Sequence, residues 1–550
     1  MLISNDEQQL KSVADRISHE YNVKTRIVVA DFTKDNFHQI IKPEVEQLST
    51  IACLVNNVGM QLPLTFFAGQ IDSPNEQSIT NIIHCNALST ATMTHLVLPK
   101  MLTQNGSNPG IINIASYSAL RTTPYLAMYT ATKAFIIQFA KCLTAEKYTK
   151  NDIIIQTLCP LIVYTKMTSN EKLSILNPTA KQFAKSALDM FGVVQLTTGS
   201  IRHELKAYLF NLLPTPVWIL LTESRIMTSG VNCIIENWWS LFQTLIVSWI
   251  IFKLLQLLTI YLKYTVGIYY FSKRKSLRKA GEWAIVTGAS AGIGEAYAEE
   301  LASEGLNLML ISNDEQQLQS VADRISREYN VKTRIVVADF TKDDFPKIIK
   351  PEIDKLTTIA CLVNNVGMIL PYGLFAGEIE SPDEQSIRNI IHCNTLSTTL
   401  MTSIVLPKML TQNGESNPGI INIGSYTGCK AFPFISMYSA TKAFIIQFSK
   451  CLAAEKYPKK IIIQTLYPLF ISTKLVNYVK TSYFTPTPRV FAKSALDMFG
   501  VEAITCGYFP HELKALVYNL IPTTLWVKLI ERLFDPKRQK HHNKNNSKAD

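Results

Sequence analysis

From Trp283 onward the apolar positions fall into a repeating order. Residues 283–286 form an apolar run with the length of a buried strand, closed by a glycine cluster. A helical stripe of Ala296, Ala298 and Leu301 follows. Residues 306–311 and 333–338 predict two more strands, and between them Leu318, Val321, Ala322 and Ile325 recur at helical spacing. Further strands fit 359–363, 420–423 and 461–466. Apolar strands separated by helices predict an α/β fold with a parallel sheet covered on both faces.

The same order occurs twice. MLISNDEQQLKSVADRISHEYNVKTRIVVADFTKD at the start returns from Met309 as MLISNDEQQLQSVADRISREYNVKTRIVVADFTKD. The match runs to about Ser224, with one insertion, Glu415, in the second copy. A period of this length is a duplicated domain, not a solenoid repeat. Copy 1 starts at the end of the second strand, so counterparts of the first strand, the glycine cluster and the first helix are missing. Two readings stay open: a truncated domain, or a gene model that has lost a start or fused neighbouring genes. The expected organisation is a truncated copy over 1–225, a hydrophobic segment and basic linker over 226–280, a complete copy over 281–534, and a basic disordered tail over 535–550.

The linker carries WWSLFQTLIVSWIIFKLLQLLTIYLKYTVGIYYF, long enough to cross a bilayer. Lys253, Gln256 and Lys263 fall on one arc of its helical wheel, which also suits an in-plane interfacial helix. Lys273, Arg274, Lys275, Arg278 and Lys279 follow it and place copy 2 in the cytosol by the positive-inside rule. Copy 1 has no signal peptide, so both copies are expected on the cytosolic side with the segment embedded short of a full single crossing. Residues 515–534, apolar after a proline, are expected to add a second membrane contact.

Composition changes this picture little. Five hundred and fifty residues leave room for several domains, and 47% apolar content suffices for a large core. The net charge of +11 clusters around apolar segments, which favours a membrane surface over nucleic acid. Ten cysteines without a CxxC pair read as reduced core thiols, with no disulfide frame and no metal site.

Candidate chemistry lies in INIGSYTGCKAFPFISMYSATKAF, residues 421–444. Tyr438 and Lys442, four apart, share a helix face. A phenol titrates near pH 10, and a fixed ammonium nearby is expected to bring it towards the working range. Ser425 at the preceding strand end is placed to hold a substrate oxygen against the phenol. The chemistry is proton delivery to a carbonyl that receives a hydride. Upstream, Gly288, Gly292 and Gly294 in TGASAGIG let a backbone turn approach a pyrophosphate at a helix N-terminus.

TGASAGIG, NNVG at 364–367, a serine thirteen residues before YSATK and the lysine of that motif resemble the short-chain dehydrogenase/reductase family. GEWAIVTG, VVADFTK, LVNNVGM, VLPKML and STKL resemble its membrane-bound branch of 17β-hydroxysteroid dehydrogenases and very-long-chain 3-oxoacyl-CoA reductases. The resemblance implies a Rossmann-like doubly wound sheet in two tandem copies joined by a membrane-associated helical segment. It makes Tyr438 the general acid, Lys442 its partner and a nicotinamide-ribose contact, and Ser425 the group that polarises the substrate carbonyl. Asn394 matches the helix asparagine that holds a relay water, and Asp339 the adenine contact. Ser290, Ile293, Asn365 and Gly367 line the cofactor cleft, and Thr473 matches the carboxamide contact. Copy 1 keeps Asn86, Ser116, Tyr129 and Lys133 but is expected not to bind cofactor.

After the second strand the branch carries Ser-Arg, whose arginine meets the 2′-phosphate of NADP. Here Ser312 precedes Asn313, and no acidic residue at Ser312 replaces it as in NAD enzymes. NADP is expected, with NAD not excluded. Phe432, Phe434, Tyr467, Leu469 and Phe470 suggest an apolar pocket for a lipid-like ketone, an acyl-CoA or a steroid. His392 reads as a packed residue. The expected function is reduction of a long-chain 3-oxoacyl-CoA by copy 2 at the endoplasmic reticulum membrane, as an intramolecular pseudo-dimer or a homo-oligomer. The alternatives are a 17β-hydroxysteroid dehydrogenase and a non-catalytic membrane-held scaffold.

Overall fold

The computed structural model describes residues 1–69, 73–104, 108–146, 153–168, 177–211, 218, 253–375, 381–457, 459–476 and 479–534. Its strands, in chain order, are β1 (Leu2–Ser4), β2 (Ile27–Val29), β3 (Cys53–Asn56), β4 (Gly110–Ile114), β5 (Ile154–Leu158) and β6 (Leu196–Thr197) in copy 1. Copy 2 contributes β7 (Trp283–Thr287), β8 (Asn307–Ser312), β9 (Thr333–Val337), β10 (Ile359–Asn364), β11 (Gly419–Ile423), β12 (Ile462–Leu466) and β13 (Ile504–Thr505). Five helices matter for the site: α1 (Ala127–Ala145), α2 (Gly292–Ser303), α3 (Ser436–Ala454), α4 (Phe509–Leu520) and α5 (Thr523–Phe534).

Copy 2 is one seven-stranded sheet in the order β13-β12-β11-β10-β7-β8-β9, with every pair parallel. The central strands are largely apolar and buried along their whole length, as expected for a sheet covered on both faces. The strand order reverses between β7 and β10. A doubly wound sheet opens a crevice at the carboxyl ends of its strands at that point.

Copy 1 lacks that centre, and its sheet is split. β1 and β2 pair as a two-stranded piece, and β3-β4-β5-β6 form a separate four-stranded piece. The interval matches the place that β7 fills in copy 2. Val55 on the β3 edge is 54% exposed, whereas its counterpart Val363 is fully buried.

The two copies pack together along α1 and α3. Small and apolar residues on each helix bury this seam, among them Ala131, Phe135, Phe139, Ala440, Phe444 and Phe448. Polar contacts cross it in matched pairs. Phe67 N donates to Glu455 Oε2 and Phe375 N to Glu146 Oε2, both at 2.8 Å. Lys42 meets Glu384, and Lys350 meets Glu76. Near the approximate two-fold axis the His84 and His392 rings stack with their Nε2 atoms 3.0 Å apart.

Most of the central apolar segment, residues 219–252, lies outside the described residues. Residues 253–262 are helical, and Leu254, Leu255, Leu258, Tyr261, Tyr269, Tyr270 and Phe271 are exposed. Lys253 Nζ donates to Gln256 Oε1 on the polar arc. Among the described residues no single helix is long and apolar enough to cross a membrane, while α4 and α5, bent by 118°, pass together by length and composition. Arg274, counted in the basic flank, is instead a structural cation: it binds Glu300, Glu304 and Asp497 at 2.7, 2.5 and 2.9 Å. The expected basic tail, 535–550, lies outside the described residues.

Candidate active site

Each wall of the crevice is set by local sequence. Gly288 turns at φ +64°, a left-handed conformation that glycine adopts without strain. Gly294 sits so close to it that a Cβ would lie 2.1 Å from the Gly288 carbonyl oxygen. The loop therefore folds flat against the start of α2. Asn365, just after β10, locks it from the other side, its Nδ2 donating to the carbonyls of Thr287 and Gly288 at 3.0 and 3.1 Å. Ser290 and Ser312 share a hydroxyl hydrogen bond of 2.9 Å. Gly288, Ser290, Gly292, Ile293, Ser312, Asn313, Asn365, Gly367 and Thr473 all line one cavity of about 960 Å³. A bare-backbone cradle at a helix N-terminus beside two hydroxyls fits a dinucleotide pyrophosphate and ribose.

Asp339 stands apart. It is not among the cavity's lining residues. Its Oδ1 accepts from Thr341 N and Oγ1 at 2.9 and 2.8 Å.

The same cavity reaches Ser425, Tyr438 and Lys442. Ser425 caps a short turn after β11 and hydrogen-bonds the Tyr438 phenol. Lys442, buried one turn along α3, donates to the Ile423 carbonyl at 2.8 Å and lies 5.6 Å over the Tyr438 ring. Burial dominates both groups. It pushes the Tyr438 phenol up to about 12, against the smaller lowering by Ser425, and brings the Lys442 ammonium down to about 8. Burial, not Lys442, is the largest influence on the phenol in this geometry, where the ammonium donates to a backbone carbonyl.

Asn394 lies in a π-turn, His392–Leu396, and is fully buried. Its Nδ2 donates to the Met368 carbonyl and Thr441 Oγ1, both at 2.9 Å, and its Oδ1 accepts from Met368 N at 2.8 Å. Both amide donors are therefore committed to bracing the loop after β10 against α3.

Beyond the phenol the cavity turns apolar. Phe432, Leu469 and Phe470 line it as expected, whereas Phe434 and Tyr467 do not. Tyr372 joins them, and the far wall is α5, through Trp526, Leu529, Ile530, Leu533 and Phe534. Four of these α5 positions recur at i, i+3, i+4 and i+7, the signal that could have located them in the sequence.

Copy 1 repeats the reacting triad without the cradle. Lys133 donates to Ile114 O at 2.9 Å and sits 5.7 Å over the Tyr129 ring, and Tyr129 bonds Ser116. Asn86 braces Met60 and Thr132 as Asn394 does their counterparts.

One cluster escaped the sequence. Asp35, His84 and His392 bring ligand-type atoms within 4.8 Å of one another across the seam. Arg388 ion-pairs with both Asp35 and Asp343 beside this cluster.

The short chain dehydrogenase family profile matches residues 1–174 and 282–483. The chain belongs to that family. The very-long-chain 3-oxoacyl-CoA reductase of Bos taurus is 40% identical over 250 residues, covering 45% of this chain and 78% of that protein. The human 17-beta-hydroxysteroid dehydrogenase type 3 is 42% identical over 246 residues, covering 45% and 77%. A solved short-chain dehydrogenase from Sphingobium yanoikuyae in complex with NADPH is 26% identical, covers 48% of this chain and 95% of its own, and has a TM-score of 0.37. The duplicated profile match agrees with the tandem copies, and the parallel sheets with the Rossmann-like class.

The shifts above set a pH profile. With the roles expected from the sequence, ketone reduction would draw on the Tyr438 proton, held to about 12, and on the charge of Lys442, lost above about 8. The rate should be flat up to that point and fall about tenfold per pH unit beyond it. Steady-state rates in buffers of constant ionic strength check this, and a rate still rising at pH 9 would contradict it.

Proposed function

We propose that residues 281–534 reduce a ketone on a lipid-like substrate, with NADPH as the preferred reductant and a long-chain 3-oxoacyl-CoA as the substrate. The observation that carries this is the continuity of one cavity from the glycine cradle, past Tyr438, to the apolar wall of α5. A nicotinamide dinucleotide held by the cradle would supply the hydride. Ser425 orients and polarises the carbonyl oxygen, and Tyr438 gives that oxygen a proton. Lys442 supplies positive charge beside the phenol and a donor for the ribose, and Asn394 keeps the surrounding loop in register. Thr473, lining the cavity beside Gly292, is suited to the carboxamide.

An acyl chain suits the apolar end, and the reductase relatives act on acyl-CoA by their names. The steroid reading is supported by the equally similar hydroxysteroid dehydrogenases. The exposed apolar residues of 254–271 support attachment to the endoplasmic reticulum membrane, with both copies in the cytosol.

One experiment addresses substrate and side together. Intact microsomes carrying the chain are given NADPH with 3-oxoacyl-CoA or with steroid ketones, and NADPH oxidation is followed before and after detergent. The expected result is acyl-CoA turnover that needs no detergent, since neither reagent crosses a membrane, and little steroid turnover. Activity that emerges only on permeabilisation would place copy 2 in the lumen. Turnover of steroids alone would replace the substrate, and none with any ketone would leave the scaffold.

A further inference from the structure

The segment 426–432, directly after Ser425, lines the cavity through Tyr426, Thr427 and Phe432. On one side the segment is tied to the C-terminal helices. Lys430 Nζ donates to the carbonyls of Tyr518 and Ile521, and the Trp526 indole donates to Ala431 O at 2.7 Å. On the other side it is held by copy 1. Gln138 Nε2 donates to the carbonyls of Thr427 and Lys430, both at 2.8 Å, and Cys142 Sγ accepts from Phe432 N at 3.3 Å. One turn on, Glu146 Oε2 accepts from Phe375 N, at the end of the loop that brings Ile369 and Tyr372 to the cavity.

Gln138, Cys142 and Glu146 are spaced i, i+4, i+8, so they form one buried stripe along α1 and its C-cap. Both loops they touch face the substrate end of copy 2, and Gly373 N to Phe434 O joins the two loops at 3.2 Å. The path to the chemistry is short: Thr427, whose carbonyl Gln138 holds, donates from its N and Oγ1 to Ser425 Oγ at 3.3 and 3.1 Å. We infer that copy 1 serves as a fixed clamp on the substrate pocket of copy 2, with Gln138, Cys142 and Glu146 as positioning residues. This rests on copy 2 being the catalytic unit.

The approximate symmetry supplies the control. Gln447 Nε2 donates to Arg121 O at 2.9 Å, the counterpart of the Gln138 to Lys430 bond, but it steadies a loop of copy 1. Gln447 lies on α3, the helix that carries Tyr438, so closeness along the chain would make it the more damaging residue to lose. The clamp reverses that order.

The test uses the full chain with Gln138→Leu and Gln447→Leu, each removing one amide from the same seam. Gln138→Leu should lower kcat/KM for the ketone by about tenfold to a hundredfold, with KM for NADPH unchanged. Gln447→Leu should stay within about twofold of wild type. Hydrogen exchange of the amides in 425–434 should quicken in Gln138→Leu only. Glu146→Gln, whose amide oxygen still accepts from Phe375 N, should retain activity that Glu146→Leu loses. Equal activity of the two leucine variants, or unchanged exchange over 425–434 in Gln138→Leu, overturns the clamp. Should wild type reduce no ketone, the catalytic reading falls alone and the exchange measurement still decides the clamp.

Discussion

Tyr438→Phe will leave the chain folded and lower ketone reduction by about a thousandfold. The ring packs between two apolar clusters and keeps those contacts as phenylalanine, so circular dichroism and melting should hardly change. What disappears is the proton. Ser425 can still polarise the carbonyl, but an aliphatic hydroxyl is too weak an acid to replace the phenol. Tyr129→Phe removes the corresponding hydroxyl from copy 1 and should alter the rate less than about twofold, since Tyr129 lies outside the cavity that Tyr438 lines. Single-turnover measurements on both variants check the pair. A comparable loss in each would mean that both copies take part in the chemistry.

Gly294→Ala should abolish cofactor binding at concentrations that saturate wild type. The new Cβ would stand 2.1 Å from the Gly288 carbonyl oxygen and 2.5 Å from Asn365 Nδ2, well inside contact distance. Backbone on one side and a doubly bonded amide on the other leave it no room, so the cradle must open. Overpacking of this kind costs about 1–3 kcal/mol, which a sheet this deeply buried tolerates. The loss is therefore expected in dinucleotide titrations followed by fluorescence, at temperatures where the variant is still folded. Wild-type affinity would show that the loop is not the pyrophosphate site.

Local pattern carried much of this architecture. The strands expected at 359–363 and 461–466 formed at Ile359–Asn364 and Ile462–Leu466, because apolar runs bounded by breakers have few other places to go. The cradle and the Ser425, Tyr438 and Lys442 set were legible for a related reason: each is a short-range constellation whose spacing is its geometry. Properties that depend on surroundings were not legible. Burial, invisible in a spacing, is the largest influence on the Tyr438 phenol. Gln138 meets Thr427 across 289 residues, and no local signal encodes such a contact.

The seam between α1 and α3 joins two folds that share one chain, and this changes their response to dilution. An interface between separate chains weakens as concentration falls, by mass action. A shared chain turns the same encounter into an intramolecular one, whose effective concentration does not fall on dilution. Activity per molecule should then be constant from micromolar to nanomolar protein, a regime in which an enzyme needing a second chain for its seam would fade.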